Sequence, residues 1–213
     1  QARGVFAVGS SLKLELERIY KLVDLKSDIL PNFVDNRFFE EDIAEKKIKK
    51  DSASYICVCE LVSKKRLDVL IDSFAIVKRE LPNATLAIVG SGPLKCSLEQ
   101  KVEMMALTDV IFYGYLSRPA IIDLMTASDV FVLTSDYETF GIVVAEALAL
   151  GLPVVSTKSG GPEDIIANVE GCHLVEKGNV DLIARAMIRA LAGRSDGAKN
   201  RLRDHAIKNF SQD

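Results

Sequence analysis

Two patterns of apolar residues alternate along this chain: short unbroken apolar runs, and longer stretches in which apolar residues recur every three or four positions. The first predicts strands buried on both faces of a parallel sheet, the second helices with one apolar stripe. Strands are predicted at residues 5–8, 54–59, 85–89, 110–113, 130–133, 153–156 and 173–175. The spacing predicts a helix opened by Ser10 and Ser11 and carrying Leu12, Leu16, Ile19 and Val23. A second covers residues 67–81, with Leu67, Leu70, Ile71, Phe74, Val77 and Leu81 on one stripe. Further helices follow Gly90-Ser91-Gly92-Pro93 to about Met105, run from Ser117 and Pro119 through Thr126, and start near Gly141. Gly160-Gly161-Pro162 opens a short helix, and residues 181–191 and 202–210 form terminal ones. Residues 28–39 read as a turn-rich connector, with Pro31-Asn32 and Asp35-Asn36 supplying the turns.

Strand and helix alternate about six times after residue 51, and parallel neighbours joined by helices cross over right-handedly. The expected fold is therefore α/β, a Rossmann-like doubly wound parallel sheet. Ligands of such sheets bind at the carboxyl ends of the strands. The loops after Cys59, Val89, Tyr113 and Leu133 all leave from that edge, so a site built from four βα turns is expected. The charged run at residues 45–50 reads as a solvated surface segment, and a domain boundary is placed between about Phe39 and Asp51. That division separates residues 1–50 from 51–213. A strand pattern already present by Val5, after Gln1, reads as a piece of something longer.

Composition narrows the function. The 213 residues are 48% hydrophobic, ample for a core, and the net charge of −3 with a pI near 5.6 argues against nucleic acid as a partner. No apolar run approaches the ~20 residues of a membrane span, and the amino end lacks a signal-peptide apolar region, so a cytoplasmic protein is expected. Cys57, Cys59, Cys96 and Cys172 lack metal-ligand spacing and read as core residues; Cys57 and Cys59 share one strand face. His173 and His205 are the two histidines, both distant in sequence from the acidic turn described next.

Residues 135–155 concentrate the chemistry. A buried strand ends at Leu133, an acidic loop carries Glu138, Gly141 stands at a helix start, and Glu146 follows on the second turn. At about 1.5 Å per residue, Glu146 lies within roughly 8 Å of the helix start along the axis, so the two carboxylates address different ends of one bound molecule. A helix N-terminus presents unpaired N–H groups, and a residue without Cβ lets an anion approach them. Gly90 and Gly92 belong either to a turn whose amides face a phosphate or sugar, or to a purely structural turn; Lys95 stands where a dinucleotide fingerprint needs its third glycine. Lys64, Lys65 and Arg66 lie on the same edge, where cations neutralise a diphosphate, or else form a solvated loop.

Together these residues resemble the nucleotide-sugar-binding half of the family 4 retaining glycosyltransferases, whose GT-B fold has two facing Rossmann-like domains. Glu138 and Glu146 match the family's E-x7-E pair, and TLAIVGSGP, FYGYL, SDVFVLTS, EALALGLPVV and STKSGGPEDII follow its order. The resemblance implies that Glu138 holds donor-sugar hydroxyls beside the reacting carbon and Glu146 the ribose hydroxyls. The amides of Phe140, Gly141 and Ile142 would face sugar and diphosphate, Lys65 would contact the phosphates, Gly90 and Gly92 would line the nucleotide, and the backbone at Tyr115 and Leu116 would meet the base. It further implies transfer with retention of configuration and without a metal or other cofactor. The acceptor, a saccharide or a lipid-linked acceptor, would be met through an amino-terminal domain to which residues up to about Asn32 belong, with membrane association of the longer protein open. A nucleotide-sugar epimerase of the same fold fits the glutamate register less well. The chain departs from the family at Cys59-Glu60-Leu61, where an arginine is usual: Glu60 turns away, or Arg66 substitutes, or donor binding is weakened, as in a non-catalytic module.

Overall fold

The computed structural model describes residues 4–20, 26–40 and 52–212. Strands β1 (Gly4–Ala7) and β2 (Lys26–Ile29) pair in parallel, joined across helix α1 (Ser10–Tyr20). A single helical turn, α2 (Arg37–Glu40), follows. The predicted connector thus contains two short elements. β2 is polar (KSDI) and carries no apolar run to betray it. The turn chemistry expected at Asp35 is present: its Oδ1 accepts from the Arg37 N–H at 3.0 Å. The predicted boundary falls largely on residues 41–51, and it, the charged run 45–50 and Val23 lie outside the described residues.

The main sheet has six parallel strands: β3 (Ser54–Val58), β4 (Thr85–Val89), β5 (Val110–Gly114), β6 (Val130–Leu133), β7 (Val154–Thr157) and β8 (His173–Val175). Their spatial order is β5-β4-β3-β6-β7-β8. The chain therefore winds outward from β3 in one direction, returns, and winds outward from β6 in the other. Between β3 and β6 lies the switch point where two consecutive crossovers diverge and leave a crevice at the carboxyl edge.

Strand alternation divides the core. Tyr55, Cys57, Val130 and Val132 point to one face, where they meet α3 (Leu67–Glu80), α4 (Lys95–Met104) and α8 (Val180–Ala190). Ile56, Phe131 and Leu133 point to the other, beneath α5 (Arg118–Thr126), α6 (Ile142–Ala149), α7 (Gly161–Ile166) and α9 (Asp196–Phe210). All residues of β6 and β7 are buried, as expected of central parallel strands, including the polar Ser156 and Thr157 that end β7. Helix α9 starts six residues before its expected position at Leu202: Ser195 caps it, accepting from the Ala198 N–H at 3.4 Å, and its first two turns are too polar to show a stripe. Val34 and Phe38 are fully buried on the α6–α9 face, and the Val34 N–H donates to the Phe210 carbonyl at 2.9 Å, so the connector is part of this core. Helix α1 abuts α7 through Ser11, whose N–H and hydroxyl reach Asp164 and the Gly160 carbonyl, both at 3.1 Å. No helix of the described residues is long and apolar enough to cross a membrane.

Candidate functional site

At the switch point two loops face each other: residues 59–66 after β3, ending in the 3-10 turn Ser63–Lys65, and residues 134–141 after β6. They are latched through the backbone. The Asp136 N–H donates to the Lys64 carbonyl at 2.8 Å, and the Thr134 hydroxyl donates to the carbonyls of Lys65 and Arg66 at 3.0 Å. This brings Lys65 Nζ to 2.5 Å from Glu138 Oε1, which also accepts from the Ser135 hydroxyl at 2.6 Å. The Lys65 and Glu138 side chains are only 14% and 12% exposed. Glu138 is held from behind as well: its N–H donates to the Ser159 carbonyl and its carbonyl accepts from Gly161, at 2.8 and 2.9 Å. Thr157, buried at the end of β7, donates to the Ser135 carbonyl at 2.5 Å. A residue pinned through its own backbone, with its carboxylate paired to an ammonium and a hydroxyl, is a preorganised polar site at the mouth of the crevice.

Three residues after Glu138, the backbone turns into α6. Gly141 is its N-cap at φ 83°, the left-handed region in which a Cβ is costly. The Phe140 side chain is buried, ring to ring with Phe210 at 5.9 Å and 82°, so Phe140 presents its backbone rather than its ring to the crevice. Among the described residues, no acceptor takes the N–H of Phe140, Gly141 or Ile142. Unpaired amides and a helix dipole beside Lys65 make the place attractive to an anion.

Glu146 lies one turn deeper, 3% exposed, the one charged side chain among the buried described residues. Its Oε1 accepts from Arg118 Nη1 at the start of α5. Burial pushes the carboxyl above its ordinary range, the charge and hydrogen bond of Arg118 pull it back, and Asp35 adds to the rise. Arg118 was not expected from sequence; it reads as an ordinary first-turn residue beside Pro119, and its meeting with Glu146 is made by the fold.

The remaining expected residues are distributed as follows. A Cβ on Gly90 would stand 1.9 Å from the Cys59 carbonyl oxygen, and one on Gly92 2.5 Å from that of Leu61. Around them the Leu61 N–H donates to Ser91 at 2.8 Å and the Leu94 N–H to Leu61 at 3.1 Å. These glycines therefore let the loop after β4 close against the loop after β3, which favours the structural role left open above while placing both on the crevice rim. Tyr115 is 84% exposed and Leu116 half-buried at the end of β5. Arg66 parts from Lys65: its guanidinium lies 3.2 Å from Asp68 and 3.3 Å from Asp136, beside a cavity of about 630 Å³ lined also by Ser63, Lys64 and Lys101. Glu60 is exposed. The Cys57 and Cys59 sulfurs, as expected, share a face, 3.7 Å apart. His173, on the outer strand β8, and His205, on α9 with the Ile165 carbonyl at 3.2 Å, stand outside this constellation.

N-acetyl-alpha-D-glucosaminyl L-malate synthase of Bacillus anthracis is 31% identical over 199 residues, which are 90% of this chain and 51% of that protein. A GDP-mannose-dependent alpha-(1-6)-phosphatidylinositol monomannoside mannosyltransferase of Mycobacterium tuberculosis is 30% identical over 182 residues, 78% of this chain and 47% of that protein. The crystal structure of Anabaena HepE in complex with UDP superposes with a TM-score of 0.84 at 22% identity, over 99% of this chain and 60% of that one. This likeness establishes the fold as one half of the GT-B architecture. The chain spans about half the length of the curated relatives it matches. The pattern described as glycosyl transferases group 1 covers residues 38–210, the whole six-stranded sheet with every loop that builds the crevice, and the chain belongs to that family.

Proposed function

We propose that this chain is the donor-binding half of a retaining glycosyltransferase that moves a sugar from a nucleoside-diphosphate sugar to an acceptor hydroxyl. The observation that carries the reading is the cluster of Lys65, Glu138 and Ser135 beside the unpaired amides of residues 140–142, with Glu146 one turn beyond. A nucleoside-diphosphate sugar has three parts that need different partners, and the crevice supplies them in that order. Glu138 accepts from sugar hydroxyls, Lys65 and the α6 amides take the diphosphate, and Glu146 accepts from the ribose. As the bond from the anomeric carbon to the diphosphate oxygen breaks, negative charge builds on that oxygen. Fixed donors already aimed at it stabilise the transition state more than the ground state. The acceptor hydroxyl attacks from the same face and gives its proton to the departing diphosphate, so configuration is retained. The acceptor, saccharide or lipid-linked, is held by an amino-terminal domain to which residues up to about Asn32 belong.

Calorimetric titration of the intact protein with UDP, GDP and their hexose conjugates tests the reading, with the product's anomeric configuration read by NMR. Binding by one of these nucleotides that Glu138→Gln and Lys65→Met both weaken, together with a product of retained configuration, is expected. An inverted product refutes retention, and absence of binding by every nucleotide refutes the donor site. The latter outcome supports a non-catalytic module, favoured by one observation: Arg66, which would have to substitute for the arginine that the resemblance leads one to expect at Glu60, is occupied by Asp68 and Asp136.

A further inference from the structure

The Glu146 carboxylate is buried, and a buried charge is tolerated only where a partner answers it. The partner comes from a different βα unit. Arg118 opens α5, 28 residues earlier in the chain, and its side chain is 44% exposed, so it is not itself confined by burial. What holds it is a second contact. Its guanidinium lies 5.5 Å from the centroid of the Phe38 ring, which is fully buried in α2. A cation over an aromatic face is attracted by the ring and has one side shielded from water. Asp35, in the same connector, also acts on Arg118, and is answered by Arg37 at 2.6 Å. The charged groups that act on Glu146 are thus Arg118 from α5 and Asp35 from the connector, with Arg37 balancing the latter.

The arrangement has a geometric consequence. Arg118 Nη1 occupies Oε1 of Glu146 and fixes the side chain's torsions, leaving Oε2 to accept from a ligand. We propose that Arg118 is a positioning residue for donor recognition: clamped over Phe38, it holds the Glu146 side chain and aims its second oxygen at the ribose hydroxyls. This rests on the ribose role of Glu146 given above. Arg118 touches no substrate in this scheme; it acts through Glu146, and couples the connector to the nucleotide site.

The test compares UDP with 2′-deoxy-UDP, and GDP with 2′-deoxy-GDP, by calorimetry on the intact protein. Wild type is expected to prefer its ribonucleotide by about ten-fold or more, the factor of a hydrogen bond to a charged group. Arg118→Met is expected to bring that ratio within about three-fold, the ribonucleotide losing more affinity than the deoxynucleotide with its single 3′ hydroxyl, and Arg118→Lys to restore most of the preference. A merely structural role for Arg118 would weaken both nucleotides alike. If Arg118→Met does not fold, Arg118→Gln serves in its place, and a wild-type ratio in either folded variant overturns the proposal. Failure of the underlying reading looks different. A wild-type protein without ribose preference, or Glu146→Gln retaining the full preference, removes Glu146 as the ribose ligand, and this inference with it, without reference to Arg118.

Discussion

Replacing Lys65 by methionine keeps most of the stem but strips the cation from Glu138. With both side chains more than four-fifths buried, water cannot take over the solvation of the carboxylate. Removing one partner of such a pair costs about 3–5 kcal/mol. The Ser135 hydroxyl remains at 2.6 Å from Glu138 Oε1 and retains part of that stabilisation, so the low end, about 3 kcal/mol, is expected. For a domain of this size each kcal/mol moves the midpoint by about 2–4 °C, so Lys65→Met should melt roughly 6–12 °C below wild type. Adding Glu138→Gln removes the orphaned charge while leaving an acceptor for Ser135, and the double variant should recover to within about 1 kcal/mol of wild type. Both variants should bind donor nucleotide more weakly than wild type, because recovery of the fold does not restore the site. Calorimetric melting with urea unfolding measures the first effect and nucleotide titration the second. A Lys65→Met protein melting within about 2 °C of wild type, or a double variant no more stable than the single, refutes the claim that these two groups sustain each other.

Four further outcomes follow from the same geometry. Burial raises the Glu146 carboxyl despite Arg118, so the fold binds that proton more tightly than the unfolded chain, and stability is lost as pH rises from the ordinary carboxylate range through the folded value. Glu146→Gln should therefore gain stability over wild type at pH 7 relative to pH 4 while losing nucleotide affinity; a relative loss at pH 7, read by melting at both, counts against the argument. Gly90→Ala drives a Cβ into the Cys59 carbonyl, whereas Gly114, with nothing within 4 Å of its Cβ position, meets only the left-handed penalty of about 1–2 kcal/mol; equal losses in urea unfolding refute the packing role of Gly90. Glu60→Arg places an exposed cation in the loop after β3, which carries the proposed phosphate contact Lys65, and is expected to tighten nucleoside-diphosphate binding, by up to about 1 kcal/mol for an exposed pair, and weaker titration refutes it. Donor transfer by the intact protein is expected to survive EDTA, since Lys65 and the α6 amides supply the charge at the diphosphate in the proposed scheme; loss of activity restored by added divalent ion sinks that part of it.

Much of this was legible in the sequence because it is local. Strand and helix periods are properties of adjacent residues, so the runs at β3 to β8 and the stripe of α3 can be read directly, as can the glycine before α6 and the spacing of Glu138 and Glu146. Elements without an apolar period were missed for the same reason: β2 is polar, and the first turns of α9 carry no stripe. Alternation of strand and helix determined a doubly wound sheet and its ligand edge, but not which loops would meet. That was decided by the strand order, which sets β6 beside β3 and brings Lys65 to Glu138 across 73 residues, while adjacent Arg66 turns to Asp136. Tertiary packing likewise decided that Gly90 and Gly92 serve loop closure, and that Arg118 stands over Phe38 to answer Glu146. A buried charge must find its partner in space, and the chain's own periodicity carries no record of which distant residue that is.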